Sequence, residues 1–98
     1  MTPKEEFIQI YKENITRKGA DELLEWLQRT DFFTAPASTR FHGDHAGGLV
    51  EHSVNVWEEM IRLLRAYPEV KVSGESAAIV TLLHDLCKID NYRHPEAG

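Results

Sequence analysis

Apolar residues recur at helical spacing in four stretches of this chain, and short breaking segments separate them. That pattern constrains the fold more than any other feature. In "TPKEEFIQIYKENI", Phe7, Ile10, Tyr11 and Ile15 form one stripe. Thr2 suits the cap, Pro3 the first helical position, and Glu5 and Glu6 the positive helix end. "TRKGA" breaks the pattern. "ADELLEWLQRT" resumes it, with Leu23, Leu24 and Leu27 on one side, Trp26 near the edge and Asp21 as the N-cap. The third helix, "GLVEHSVNVWEEMIRLLRAYP", is the longest. Leu49, Val56, Met60, Leu63 and Leu64 mark its buried face, and Pro68 ends it. After the turn "EVKVSG", too brief for a strand, "ESAAIVTLLHDLCKI" reads as a fourth helix. It is apolar on several sides, which places it centrally in a bundle. The expectation is an all-α bundle of about four to five helices in one domain. Residues 1–40 form a helical lead-in, 41–89 the central part, and 90–98 a tail without periodicity.

The second and third helices are joined by "TDFFTAPASTRFHGDHAGG", a long stretch with neither helical nor strand periodicity. A loop of this length in a small domain is unusual and often functional. The alternative is a surface connection pinned by Phe32 and Phe33. Gly47 and Gly48 suit a close backbone approach or a tight start to the third helix.

Composition narrows the function classes. The chain has 98 residues and a formal net charge of -5, and its eleven Lys and Arg are scattered. Duplex nucleic acid needs a basic face, so it is not the expected partner. A small anion remains compatible, because a site can be locally positive. Trp26 and Trp57 read as core or interface aromatics, since no basic groove accompanies them. The single cysteine, Cys87, excludes an internal disulfide and reads as a small core residue. The N-terminus lacks the apolar core of a signal peptide, and no apolar run approaches the roughly 18–20 residues of a membrane span. A cytoplasmic protein with no membrane partner is the expectation.

Five histidines remain to be explained. His52 lies on the inward face of the third helix, between Leu49 and Val56. His84 and Asp85 sit in the apolar fourth helix, where an imidazole and a carboxylate need partners. Counting along each helix from the hairpin puts His52 and His84 roughly 22 Å and 15 Å away, about a turn and a half apart in level. Antiparallel packing then lets one imidazole face an imidazole and a carboxylate. Two histidines and an aspartate suit a transition metal, with positions left open for water and substrate. The structural alternatives are a hydrogen-bonded core histidine at His52, and an Asp85 that orients a histidine or pairs with Arg62 or Lys88.

The combination of "GGLVEHS", the spacing from His52 to His84, and "LLHDLCKI" resembles the HD-domain superfamily of metal-dependent phosphohydrolases. It looks closest to bacterial members with a Gly-Gly-Leu-x-Glu-His-Ser segment. The similarity covers roughly residues 41–89, about half the chain. It implies an all-α fold and a mono- or dinuclear divalent metal site. The family's first histidine falls on His52, its His-Asp pair on His84 and Asp85, and a frequent lysine on Lys88. Cys87 stands where many members have glycine. The family's last aspartate, on a separate helix, has no counterpart, because Asp90 follows too closely. The sequence therefore reads as a short form, in which water, Asp90, His94, Glu96 or a second molecule completes the site.

The resemblance implies hydrolysis of a phosphomonoester or phosphodiester of a nucleotide or other small molecule. The metal would be Mn, Fe, Ni, Zn, Co or Mg. Asp85 would bind metal and orient or deprotonate the attacking water, and Lys88 would meet the phosphate as a point charge. Arg40, His42 and His45 are candidate phosphate contacts or extra ligands, and Glu51 a supporting or surface group. The alternative is a catalytically impaired HD-like module that acts by association, with homo-oligomerisation through apolar helix faces.

Overall fold

Pro3–Asn14 forms helix α1, and its start follows the expected chemistry. The Thr2 hydroxyl accepts the Glu5 N–H at 3.2 Å, and the Glu5 carboxylate accepts the Thr2 N–H at 3.0 Å. This reciprocal cap satisfies two amides that a helix start leaves unpaired. The structure, a computed structural model, describes residues 1–36 and 45–89. Ala20–Arg29 is α2, Gly48–Ala66 is α3 and Gly74–Leu82 is α4; a 3-10 turn covers Leu86–Lys88. No strand occurs among the described residues, so the fold is the expected all-α one.

Helix α3 packs against α1 and α4, and α1 also touches α4. Phe7, Tyr11, Leu27, Phe32, Leu49, Val50 and Leu82 are almost fully buried between them. The Tyr11 hydroxyl, inside this core, donates to the Ala20 carbonyl at 2.6 Å and ties α1 to the start of α2. Asp21 is not the N-cap of α2: Gly19 holds that position at φ 90, with no side-chain cap. A left-handed residue is needed there, and glycine adopts it without strain.

The segment after α2 is pinned as the sequence suggests. Phe32 is fully buried against Phe7, with ring centroids 5.0 Å apart, and Phe33 meets both rings edge-on. The same strap reaches the head of α3, where the N–H of Gly47 and Leu49 donate to the carbonyls of Thr34 and Ala35. Gly47 takes φ 81 at this junction, again a glycine conformation.

Four further expectations are corrected. Helix α4 ends at Leu82, not near Ile89, so His84 and Asp85 lie in the turn beyond it. Nor is α4 central: Val80 is 59 % exposed and only Ala77, Ala78, Thr81 and Leu82 are buried. The buried face of α3 is Gly48, Leu49, Val50, Ser53 and Val54, while Leu63 is 55 % exposed. The first two turns of α3 are thus sandwiched, and of the later stripe Val56, Met60 and Leu64 are half-buried. Trp26 is exposed; Trp57 packs against the core, with its indole N–H buried and unpartnered among the described residues. Cys87 is exposed rather than a core residue.

Candidate functional site

The α3–α4 hairpin decides which polar side chains meet. His52 lies one turn into α3. The chain reverses through residues 67–73, and Ser73 caps α4 by accepting the Ser76 N–H at 3.0 Å. Running back alongside α3, α4 delivers His84 and Asp85 at the level of His52. The difference in level expected from a straight helix is taken up by the turn after Leu82.

Three atoms converge there. His52 Nε2 and His84 Nε2 are 3.3 Å apart. Asp85 Oδ2 lies 3.4 Å from the first and 3.1 Å from the second. The Asp85 side chain is the most enclosed of the three, at 17 % exposure, and the histidines keep a face open to solvent. An open face admits water or a substrate; an enclosed carboxylate strengthens electrostatic interaction.

The donor set fits a divalent transition metal: two imidazole nitrogens and one carboxylate oxygen. Donor atoms held about 2.0–2.2 Å from one ion stand roughly 2.8–3.6 Å from each other at octahedral to tetrahedral angles. All three separations fall in that range. Burial holds the His52 pKa below the ordinary imidazole value, and neighbouring His84 and Lys88 push the same way against the opposing pull of Asp85. A neutral imidazole is the form that ligates metal.

The other sequence candidates divide. Lys88 Nζ stands 3.6 Å from Asp85 Oδ2, at the edge of the cluster. Arg62 pairs with Glu59 instead of Asp85. His45 is not in the cluster; its Nε2 lies 3.4 Å from Glu51 Oε1, beside the start of α1. Arg40, His42, Asp90, His94 and Glu96 lie outside the described residues. One group had no signal in the sequence: the main-chain carbonyl of Thr81, 2.6 Å from His84 Nδ1. A main-chain contact made by a helix end carries no residue signature.

Among known proteins, 67 residues of this chain are 34 % identical to dihydroneopterin 2',3'-cyclic phosphate phosphodiesterase of Methanocaldococcus jannaschii. The matched stretch is 65 % of this chain but 27 % of that protein, so the chain spans about a quarter of its relative's length. No family model matches the chain, and no solved structure does.

Proposed function

We propose that this chain carries the metal centre of an HD-type phosphohydrolase, acting on a phosphomonoester or phosphodiester of a nucleotide or other small molecule. The observation that carries the reading is the triangle of His52 Nε2, His84 Nε2 and Asp85 Oδ2 at ligand spacing. The similarity to a cyclic phosphate phosphodiesterase supports it from a separate direction.

His52, His84 and Asp85 would hold the cation. When bound, a divalent ion polarises a phosphoryl oxygen and acidifies water at neutral pH. The chain's own residues supply the remainder. Asp85 orients the attacking water and accepts its proton. The water oxygen joins phosphorus, one P–O ester bond breaks, and the leaving alkoxide takes the proton that Asp85 accepted. Lys88, next to Asp85, places its ammonium against a phosphoryl oxygen as a point charge.

Metal per chain, measured by plasma mass spectrometry on tag-free protein offered Mn, Fe, Co, Ni, Zn or Mg, tests the centre. Near-stoichiometric metal in the wild type, lost in His84→Ala, is the expected outcome. No uptake of any of them sinks the reading.

A second reading is a non-catalytic module that works by self-association. The exposure of Leu63, Tyr67, Val70, Val72 and Val80 favours it. Sedimentation separates the two: a metal-free oligomer supports association, and a metal-loaded monomer removes it.

A further inference from the structure

Helix α4 stops two residues before His84, and this early stop gives the imidazole its partner. Thr81 sits in the last turn, 1 % exposed, with its hydroxyl donating to the Ala77 carbonyl at 2.7 Å. Back-bonding of this kind bends a helix and seats the residue firmly. The carbonyls of a last turn have no partner within the helix. Had α4 run on through Asp85, the Asp85 N–H would have taken the Thr81 carbonyl. Instead Leu83 leaves helical geometry at φ -109, ψ 5. The N–H groups of Leu83, Leu86 and Lys88 go to Ile79, Leu83 and Asp85. Among the described residues no main-chain N–H meets the Thr81 carbonyl, and His84 Nδ1 stands 2.6 Å from it.

A carbonyl only accepts, so Nδ1 carries the hydrogen. A neutral imidazole protonated at Nδ1 has a bare lone pair at Nε2. That lone pair points at His52 Nε2 and Asp85 Oδ2, at 3.3 Å and 3.1 Å. Of the three converging atoms, His52 Nε2 alone can then bring a proton while the histidines are neutral and the carboxylate ionised. One N–H serves one acceptor well; with Lys88 Nζ 3.6 Å from Asp85 Oδ2 to serve the carboxylate, the bare His84 Nε2 is left to the His52 N–H or to a cation.

We infer that the Thr81 main-chain carbonyl is the positioning group of this centre: the early end of α4 frees it to hold His84 in the Nδ1–H tautomer, with Nε2 presented as a ligand. The inference deepens the metal reading and rests on it for its purpose, but the tautomer is a property of the metal-free protein.

The test is long-range proton–nitrogen NMR on metal-free, 15N-labelled protein at about pH 8, where imidazole is neutral. The His84 signals are identified by their loss in His84→Ala. The expected pattern is a protonated Nδ1 and a bare Nε2, the reverse of the preference of a free histidine side chain. The Nε2–H tautomer, or an even mixture, would overturn the inference. A second measurement replaces Leu82 by its α-hydroxy analogue, which turns the Thr81–Leu82 amide into an ester with a weaker acceptor carbonyl. Zinc affinity should fall about tenfold, as when a ligand's orienting partner is lost, and the tautomer should shift. The same replacement at exposed Leu63, in α3, removes a comparable helical bond away from the end of α4 and should change neither. Equal behaviour of the two esters would also overturn the inference. If the esters do not fold, the wild-type tautomer still decides. A protein with the Nδ1–H tautomer that takes up no metal keeps the positioning contact and removes the metal centre. Metal binding with the opposite tautomer does the reverse.

Discussion

His52 shows how one side chain serves two environments. Its backbone belongs to the sandwiched first turns of α3, and its ring reaches the edge of the hairpin, where it faces His84 and Asp85. Burial is the largest influence on its pKa and lowers it. Protons therefore compete with metal at His52 only below the ordinary imidazole range near 6.5. Metal uptake followed against pH should hold through neutrality and fall in the acid range. In metal-free protein the sign is the same. Between the lowered folded value and the unfolded one, the unfolded chain binds more protons, so stability drops as pH falls through that window. Above it, this contribution is flat. Urea midpoints measured from pH 8 to 5 should show the drop, and His52→Asn should lack that part of it; a rise in stability towards acid would contradict the buried, neutral imidazole. The meeting of His52 with His84 and Asp85 was legible in outline, because counting along the helices brought them within about a turn and a half; the turn after Leu82 that closes the gap was not. The tautomer was not, since the group that sets it is a backbone carbonyl.

At the scale of elements, α1 and the strap were the most readable parts. Thr2, Pro3 and Glu5 are local signals, and the cap they form needs nothing from the rest of the chain. Helix α4 ends earlier than its pattern implies because an apolar stretch on several sides suits a helix and a half-buried turn equally; the stop at Leu82 depends on what His84 and Leu83 do with the freed carbonyls. The α3 stripe misled for another reason. Periodicity marks which residues share a face, but not how deeply a neighbour covers each of them, and Leu63 stays 55 % exposed. Glu75, in the first turn of α4, drew no notice in the sequence, yet it joins two corners of the fold. Its Oε2 accepts the N–H of Thr16 at 2.9 Å and of Arg17 at 3.1 Å, and its Oε1 meets the Arg17 guanidinium at 3.1 Å. The Thr16 amide, followed by the Arg17 side chain, holds its pKa below the ordinary value of 4.5. A carboxylate stabilised this way adds stability above that value and loses it as pH falls through the lowered pKa. Glu75→Gln should lower the melting midpoint at pH 7 and flatten the acid limb of the stability curve. An unchanged acid limb would mean that the clamp does not hold in solution.

For the whole molecule, the three cluster atoms come from two segments that touch only because the hairpin folds, α3 on one side and the turn after α4 on the other. An ion held between them binds the folded chain and not the unfolded one, so it raises stability by mass action. At a free metal concentration near a hundred times the dissociation constant, the gain is about 2.7 kcal/mol. In a domain of this size each kcal/mol shifts the midpoint by roughly 4–8 °C, so zinc should raise it by about 10–20 °C. His84→Ala should melt at the same temperature with and without zinc. Leu27→Ala supplies the opposite case. Leu27 is fully buried in the core on α2, a helix that supplies none of the cluster residues, and its truncation should cost about 2–5 kcal/mol. The variant should start from a lower midpoint but rise with zinc by about as much as the wild type, since distant sites add. Calorimetry on the three proteins thus separates a centre that the fold merely carries from one on which the fold depends. A zinc-dependent rise that persists in His84→Ala would place the ion elsewhere, and a missing rise in Leu27→Ala would mean that the cluster needs the whole core intact to form.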